Sequence, residues 1–97
     1  MMAELQPQID EVNYIAIMLA RNIRMKAFYK QEPNGFVVPF VIVNNMETGA
    51  RYHWNLETFQ NRLTLFRLMA ADFYDDGILQ SFPDRQKDPF WDPNEED

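Results

Sequence analysis

Cysteine is missing from the 97 residues altogether, and histidine and serine each occur once, as His53 and Ser81. Without thiols the chain has neither a disulfide framework nor a thiolate metal site, and the composition fits a reducing, intracellular compartment. A transition-metal centre would have to be built from one imidazole and carboxylates. His53 alternates with Arg51 in a strand pattern and is expected to face solvent. Ser81 has no base at a recognisable spacing, so nucleophilic catalysis lacks its parts. Glycine is scarce, with three residues, and no phosphate loop of the GxxxxGK[ST] kind is present. No apolar run approaches the roughly 20 residues of a membrane span, and no basic region leads the first apolar segment as in a signal peptide. Asp72, Asp76 and Gly77 resemble positions of a calcium loop. However, Tyr74 and Pro83 occupy places where that loop needs oxygen ligands, and a metal-assisted hydrolase built from such carboxylates fails on spacing. The expectation is no enzyme, no cofactor and no metal.

What the chain does have is charge in the wrong place for nucleic acid. The net charge is −6. Residues 1–71 carry seven basic and six acidic side chains, whereas residues 72–97 carry two basic and nine acidic. An anionic end repels nucleic acid and anionic membrane, so neither is an expected partner. A basic protein surface is the complementary choice.

Apolar spacing defines two helices. Leu56, Phe59, Leu63, Phe66, Ala70 and Phe73 alternate steps of three and four. Asn55 is the expected N-cap, with Trp54 and Phe59 placed as a hydrophobic staple. Gly77 is the expected left-handed C-terminal residue, and Phe73 and Ile78 would form the apolar pair of a Schellman motif. Leu5, Ile9, Val12, Ala16, Leu19 and Ile23 make a second stripe, with Pro7 in or just before the first turn. Tyr14, Ile15, Ile17 and Met18 make that helix apolar on its other faces. Either it is sandwiched within the domain, or it continues an upstream coiled coil that could dimerise the chain.

Between the helices lie three strand signals. Residues 24–30 alternate, with Met25, Ala27 and Tyr29 on one face. Glu32-Pro33-Asn34-Gly35 is a turn. Residues 36–43 are apolar on both faces and read as a strand buried on two sides, with Pro39 arguing for an edge position or a bulge. Residues 44–49 form a loop and residues 50–54 a third strand. The reading is an α+β domain over residues 1–82: helix, three-stranded antiparallel meander, helix. Residues 83–97 follow as an extended acidic clip.

The candidate binding residues are on the second helix and in the clip. Leu68 projects on the face away from the apolar stripe, among Glu57, Asn61 and Asp72. Asp75 and Asp76 oppose the helix dipole at its C-terminus, a mild local cost that hints at a contact. Arg62, at the edge of the stripe, is expected to pair with a carboxylate and cover aromatics. In Asp88-Pro89-Phe90-Trp91-Asp92-Pro93 two large aromatics stand between prolines. Such a clip either folds onto its own domain or engages a partner as a linear motif, and Asp-Pro-Phe is similar to peptides read by clathrin-adaptor appendage domains. On that reading the chain is a stand-alone adaptor recruiting endocytic or trafficking proteins.

Three blocks carry a wider likeness: Glu11-Val12-Asn13-Tyr14-Ile15-Ala16; Tyr52-His53-Trp54-Asn55-Leu56-Glu57 with Asn61-Arg62-Leu63; and Asp88-Pro89-Phe90-Trp91-Asp92. Together they resemble the region that follows the forkhead-associated domain in kinesin-3 motors. The nearest likeness is to the stalk domain that binds the guanylate kinase-like module of membrane scaffolds. Short ciliary members of the nematode type carry a similar segment. The resemblance implies a non-catalytic stalk piece of a microtubule motor whose ATPase lies in a separate domain. It further implies autoinhibition, cargo attachment and intracellular transport as roles. The implied partners are the motor domain, neighbouring stalk domains and scaffold or cargo adaptors. The implied setting is cytoplasmic and microtubule-associated, in a neuron or a cilium.

Overall fold

Asn55 ends one element and starts the next. In a computed structural model that describes residues 5–77, 82 and 87–92, it is the last residue of β3 (Arg51–Asn55) and the N-cap of α2 (Leu56–Asp76). Its side-chain oxygen accepts the Thr58 N–H at 2.8 Å, which satisfies one of the unpaired donors at the helix start. At the far end Gly77 is left-handed, with φ +67, and donates its N–H to the Phe73 carbonyl at 2.7 Å. That is the single bond of the simpler left-handed cap. Ile78, the expected apolar partner of Phe73, lies outside the described residues.

The stripe of α2 buries Phe59, Leu63, Phe66 and Met69 completely, while Leu56, Ala70 and Phe73 pack half-buried beside them. The first helix, α1 (Leu5–Met18), buries Leu5, Ile9, Val12, Ile15 and Ala16 in the same core. It stops short of the predicted stripe. Leu19 is buried just past its end, and Ile23 begins β1 (Ile23–Gln31) instead of continuing the helix. The stop is a Schellman motif: Ala20 donates its N–H to Ile17 O at 3.1 Å and Arg21 donates to Ala16 O at 2.8 Å. Ala20 itself sits at φ +58, where glycine is the usual residue. Nor is α1 sandwiched. Tyr14 and Ile17 remain 64% and 59% exposed, because α1 meets β1 on one side and α2 on another and nothing described covers the third.

The three strands form an antiparallel meander in the order β1-β2-β3, so the predicted α+β architecture is what the chain adopts. Both helices lie on one face, over Met25, Val41, Val43, Tyr52 and Trp54. β2 (Val37–Asn45) was expected to be buried on both sides, and the structure corrects this: only Val41 and Val43 are fully buried. The strand is central, not at an edge, yet Pro39 is harmless there. Asn45 directs its N–H towards β3, to Ala50 O at 2.8 Å, and alternate residues of a strand point the same way. Pro39 therefore lacks its donor on the β3 side, and β3 pairs no further along β2 than Phe40.

Two side-chain links tie α1 to its neighbours. Asn13 donates to the Met25 carbonyl at 2.9 Å and accepts the Met25 N–H at 2.7 Å, pairing with the outer edge of β1 as a strand would. Arg67 on α2 holds Glu11 through two bonds of 2.7 and 2.8 Å. That hydrogen-bonded guanidinium lowers the Glu11 carboxyl below its ordinary value, against a smaller opposing effect of burial. A lowered carboxyl contributes stability that is present above its unfolded-state value and is lost as pH falls through the folded-state value. The pair is largely exposed, so Arg67→Ala should cost less than about 1 kcal/mol, an effect that salt weakens and acid removes. Urea melts at neutral and acidic pH test this.

The helix ends make a paired prediction. Ala20→Gly should stabilise the fold by up to about 1 kcal/mol, and Gly77→Ala should cost about that much, because L-residues are disfavoured at positive φ. Among the described residues no atom beyond its chain neighbours and its own helix backbone lies within 4 Å of a Cβ built on Gly77, so the penalty there is conformational, not steric. Urea midpoints of the two variants should shift in opposite directions.

Candidate functional site

Trp54, on the buried face of β3, starts a column of rings. Its indole stacks on Phe66 of α2 (centroids 6.4 Å, planes 15° apart), and Phe66 stacks on Phe90 of the clip (4.4 Å, 23°). Each end ring carries a guanidinium. Arg62 lies 5.0 Å from the Trp54 ring centre, and Arg21 lies 4.8 Å from that of Phe90. Such cation–π contacts are worth about 0.5–2 kcal/mol, the larger values where water is excluded.

The polar ends of these side chains fasten the clip to the domain. Arg62 donates through Nη1 to the carbonyls of Pro89 (2.6 Å) and Trp91 (2.7 Å). The carboxylate partner expected for Arg62 is thus replaced by two main-chain oxygens, and the aromatic it covers is Trp54. Arg21 forms an ion pair with Asp88. Trp54 donates its indole N–H to buried Asp92. Asp88 also accepts the Phe90 N–H at 3.0 Å and its carbonyl accepts the Trp91 N–H at 3.0 Å, which folds the clip into a turn. Phe90 is 2% exposed and belongs to the same core as the helices, from beyond residue 82. Over the described residues 87–92, the clip packs against its own domain.

The predicted site residues therefore divide. Asp88, Phe90 and Asp92 are taken up in holding the clip down, Asp88 on Arg21, Phe90 on Phe66 and Asp92 on Trp54. Trp91 is half-buried, and its indole N–H has no acceptor among the described residues. Asn55 caps α2, Phe59 is buried in its stripe, and Gly77 is the left-handed residue at its end. Leu68, Asp75 and Asp76 are exposed on α2, as is Asp72. Leu68 and Asp72 border a shallow groove of about 250 Å³ that runs between α2 and the clip, next to Leu65, Met69 and Pro89. A wider cleft of about 430 Å³ lies on another side, between Arg21, Asn22, Glu47, Thr48 and Trp91. Arg21 is the residue that sequence reasoning missed. Its partner is 67 positions away, and no local periodicity links a residue at a helix exit to a distant tail.

His53 is exposed on the open face of the sheet, packed against Phe40 with ring centres 5.1 Å apart. Among the described residues no group of three or more His, Asp or Glu is arranged to hold a metal ion. No described helix is long and apolar enough to cross a membrane. Comparison with models of known protein families and with curated proteins finds no match.

If the ring column holds the clip, Phe90→Ala should lower stability by about 3–5 kcal/mol through the cavity it leaves. Arg62→Ala should cost about 2 kcal/mol by releasing two carbonyls. Arg62→Lys should recover little, since an ammonium cannot both span two carbonyls and stack on the indole. Denaturation followed by tryptophan fluorescence measures all three. A Phe90→Ala protein that melts like the parent would show the clip to be a detachable peptide.

Proposed function

We propose that this chain is a non-catalytic stalk interaction domain of a kinesin-3 microtubule motor, serving autoinhibition and the attachment of scaffold or cargo. One observation carries the reading. The second and third of the blocks that resemble the kinesin-3 stalk are far apart in sequence but meet in space, Trp54 with Asp92 and Arg62 with Pro89 and Trp91, while Glu11 and Asn13 of the first tie α1 to Arg67 of α2 and Met25 of β1. Residues that interlock in this way are the signature of one domain rather than of scattered short motifs.

The acidic C-terminal end of α2 then supplies the contact with the motor. Asp75 and Asp76 stand exposed there, and the last turn of the helix contains no basic residue. A motor face that binds the acidic microtubule is basic, so occupying it with these carboxylates would block the track. The groove beside Leu68 is the matching place for a scaffold or adaptor side chain. A stand-alone adaptor acting through Asp88-Pro89-Phe90 has weaker support, because Phe90 would first have to leave the core.

In the full-length motor, Asp75→Lys with Asp76→Lys should raise microtubule-stimulated ATPase and lengthen processive runs, with the melting temperature of the isolated chain little changed. Unchanged activity would remove the autoinhibitory role. Leu68→Asp should weaken capture of a scaffold guanylate kinase-like module about tenfold or more, as judged by calorimetry. Full binding by that variant would make Leu68 a bystander.

A further inference from the structure

β2 is apolar on both faces, but the described residues cover only one of them. On the open face the register aligns Lys26, Ile42 and His53 in one row, Phe28, Phe40 and Asn55 in the next, and Lys30 with Val38 in a third. No described element packs there. Phe28 and Val38 are each 43% exposed, and the rings of Phe28, Phe40 and His53 touch in a line, with centroids 4.9 and 5.1 Å apart. An antiparallel sheet usually turns a polar face to water, so a ridge of this kind marks a place meant to be covered.

Charge says what covers it. The chain has 15 acidic residues, yet none lies in any of the three strands. Lys26 and Lys30 flank the ridge on one side, and Arg51, whose Nε donates to Asn44 at 3.1 Å, stands on the other. An overall acidic protein thus presents one acid-free, basic and apolar face.

We propose that the open sheet face binds an acidic polypeptide segment, with apolar side chains seated on Phe28, Phe40 and Ile42 and carboxylates paired to Lys26, Lys30 and Arg51. This surface lies on the other side of the molecule's sheet from the clip, and the inference holds whether or not the chain belongs to a motor. Single-stranded nucleic acid fits less well. The rings are tilted 46° and 49° to one another and pack together, which gives an apolar ridge rather than separate platforms for successive bases. The chain's own residues 93–97 offer carboxylates but no large apolar side chain for the ridge.

The test uses the full chain and a fluorescein-labelled synthetic peptide alternating glutamate with phenylalanine, followed by anisotropy. Saturable binding is expected, weakened tenfold or more by the double change Lys26→Glu with Lys30→Glu and by Phe28→Ser. It should also weaken as salt is raised. Because these positions are exposed, the variants should melt near the parent temperature, and the lysine pair decides the matter if Phe28→Ser fails to fold. The proposal is overturned if the peptide does not bind at about 1 mM or if the lysine reversals leave its affinity unchanged. It is overturned equally if a labelled oligouridine binds more tightly than the peptide at the same face.

Discussion

Phe66 has a ring on each side of it, and the fold depends on both. Two helices on one face of a three-stranded sheet make a small core, and a chain of this size buries only about 60–65% of the surface it exposes when unfolded. Trp54 reaches Phe66 from the sheet and Phe90 reaches it from the tail. The column therefore fills space that neither helix could fill alone. It also explains why two arginines are placed where they are: each covers an outer ring with its guanidinium plane and uses its remaining donors on the clip. Packing and hydrogen bonding here are one arrangement, so loss of any member should be felt by the others.

This dependence bears on how function can be assigned to the short motifs. Asp88-Pro89-Phe90, read in isolation, has the form of a peptide ligand. In the folded chain Asp88 caps its own turn and pairs with Arg21, and Phe90 is in the core. The surfaces we propose for partners are elsewhere: the acidic end of α2 with the groove beside Leu68, and the basic, aromatic side of the sheet. They carry opposite charge and face different directions in the fold, which suits a domain that sits between two neighbours.

Local rules made much of the fold legible. The caps at Asn55 and Gly77 require only residues adjacent in sequence, and the α2 stripe requires only a period of three and four. The element order was readable for the same reason. Four features were not. The end of α1 was overrun because Leu19 and Ile23 continue the helical spacing, and the Schellman motif that stops it uses alanine where glycine would have signalled it. The two-sided burial expected for β2 failed because an apolar pattern records what a strand is suited to bury, not what its own chain supplies. Arg62 was recognised as a covering residue but given the wrong acceptor, since main-chain carbonyls leave no mark in a sequence. Arg21 left no mark at all.

Asn13 has a consequence for how these molecules behave when crowded. Its amide occupies the positions that the backbone of an incoming strand would need at Met25. A second molecule seeking to extend the sheet along β1 would meet α1 first and would have to pry that helix loose. One side chain thus blocks strand addition at the Met25 position of the β1 edge, where bare main-chain groups would otherwise invite pairing.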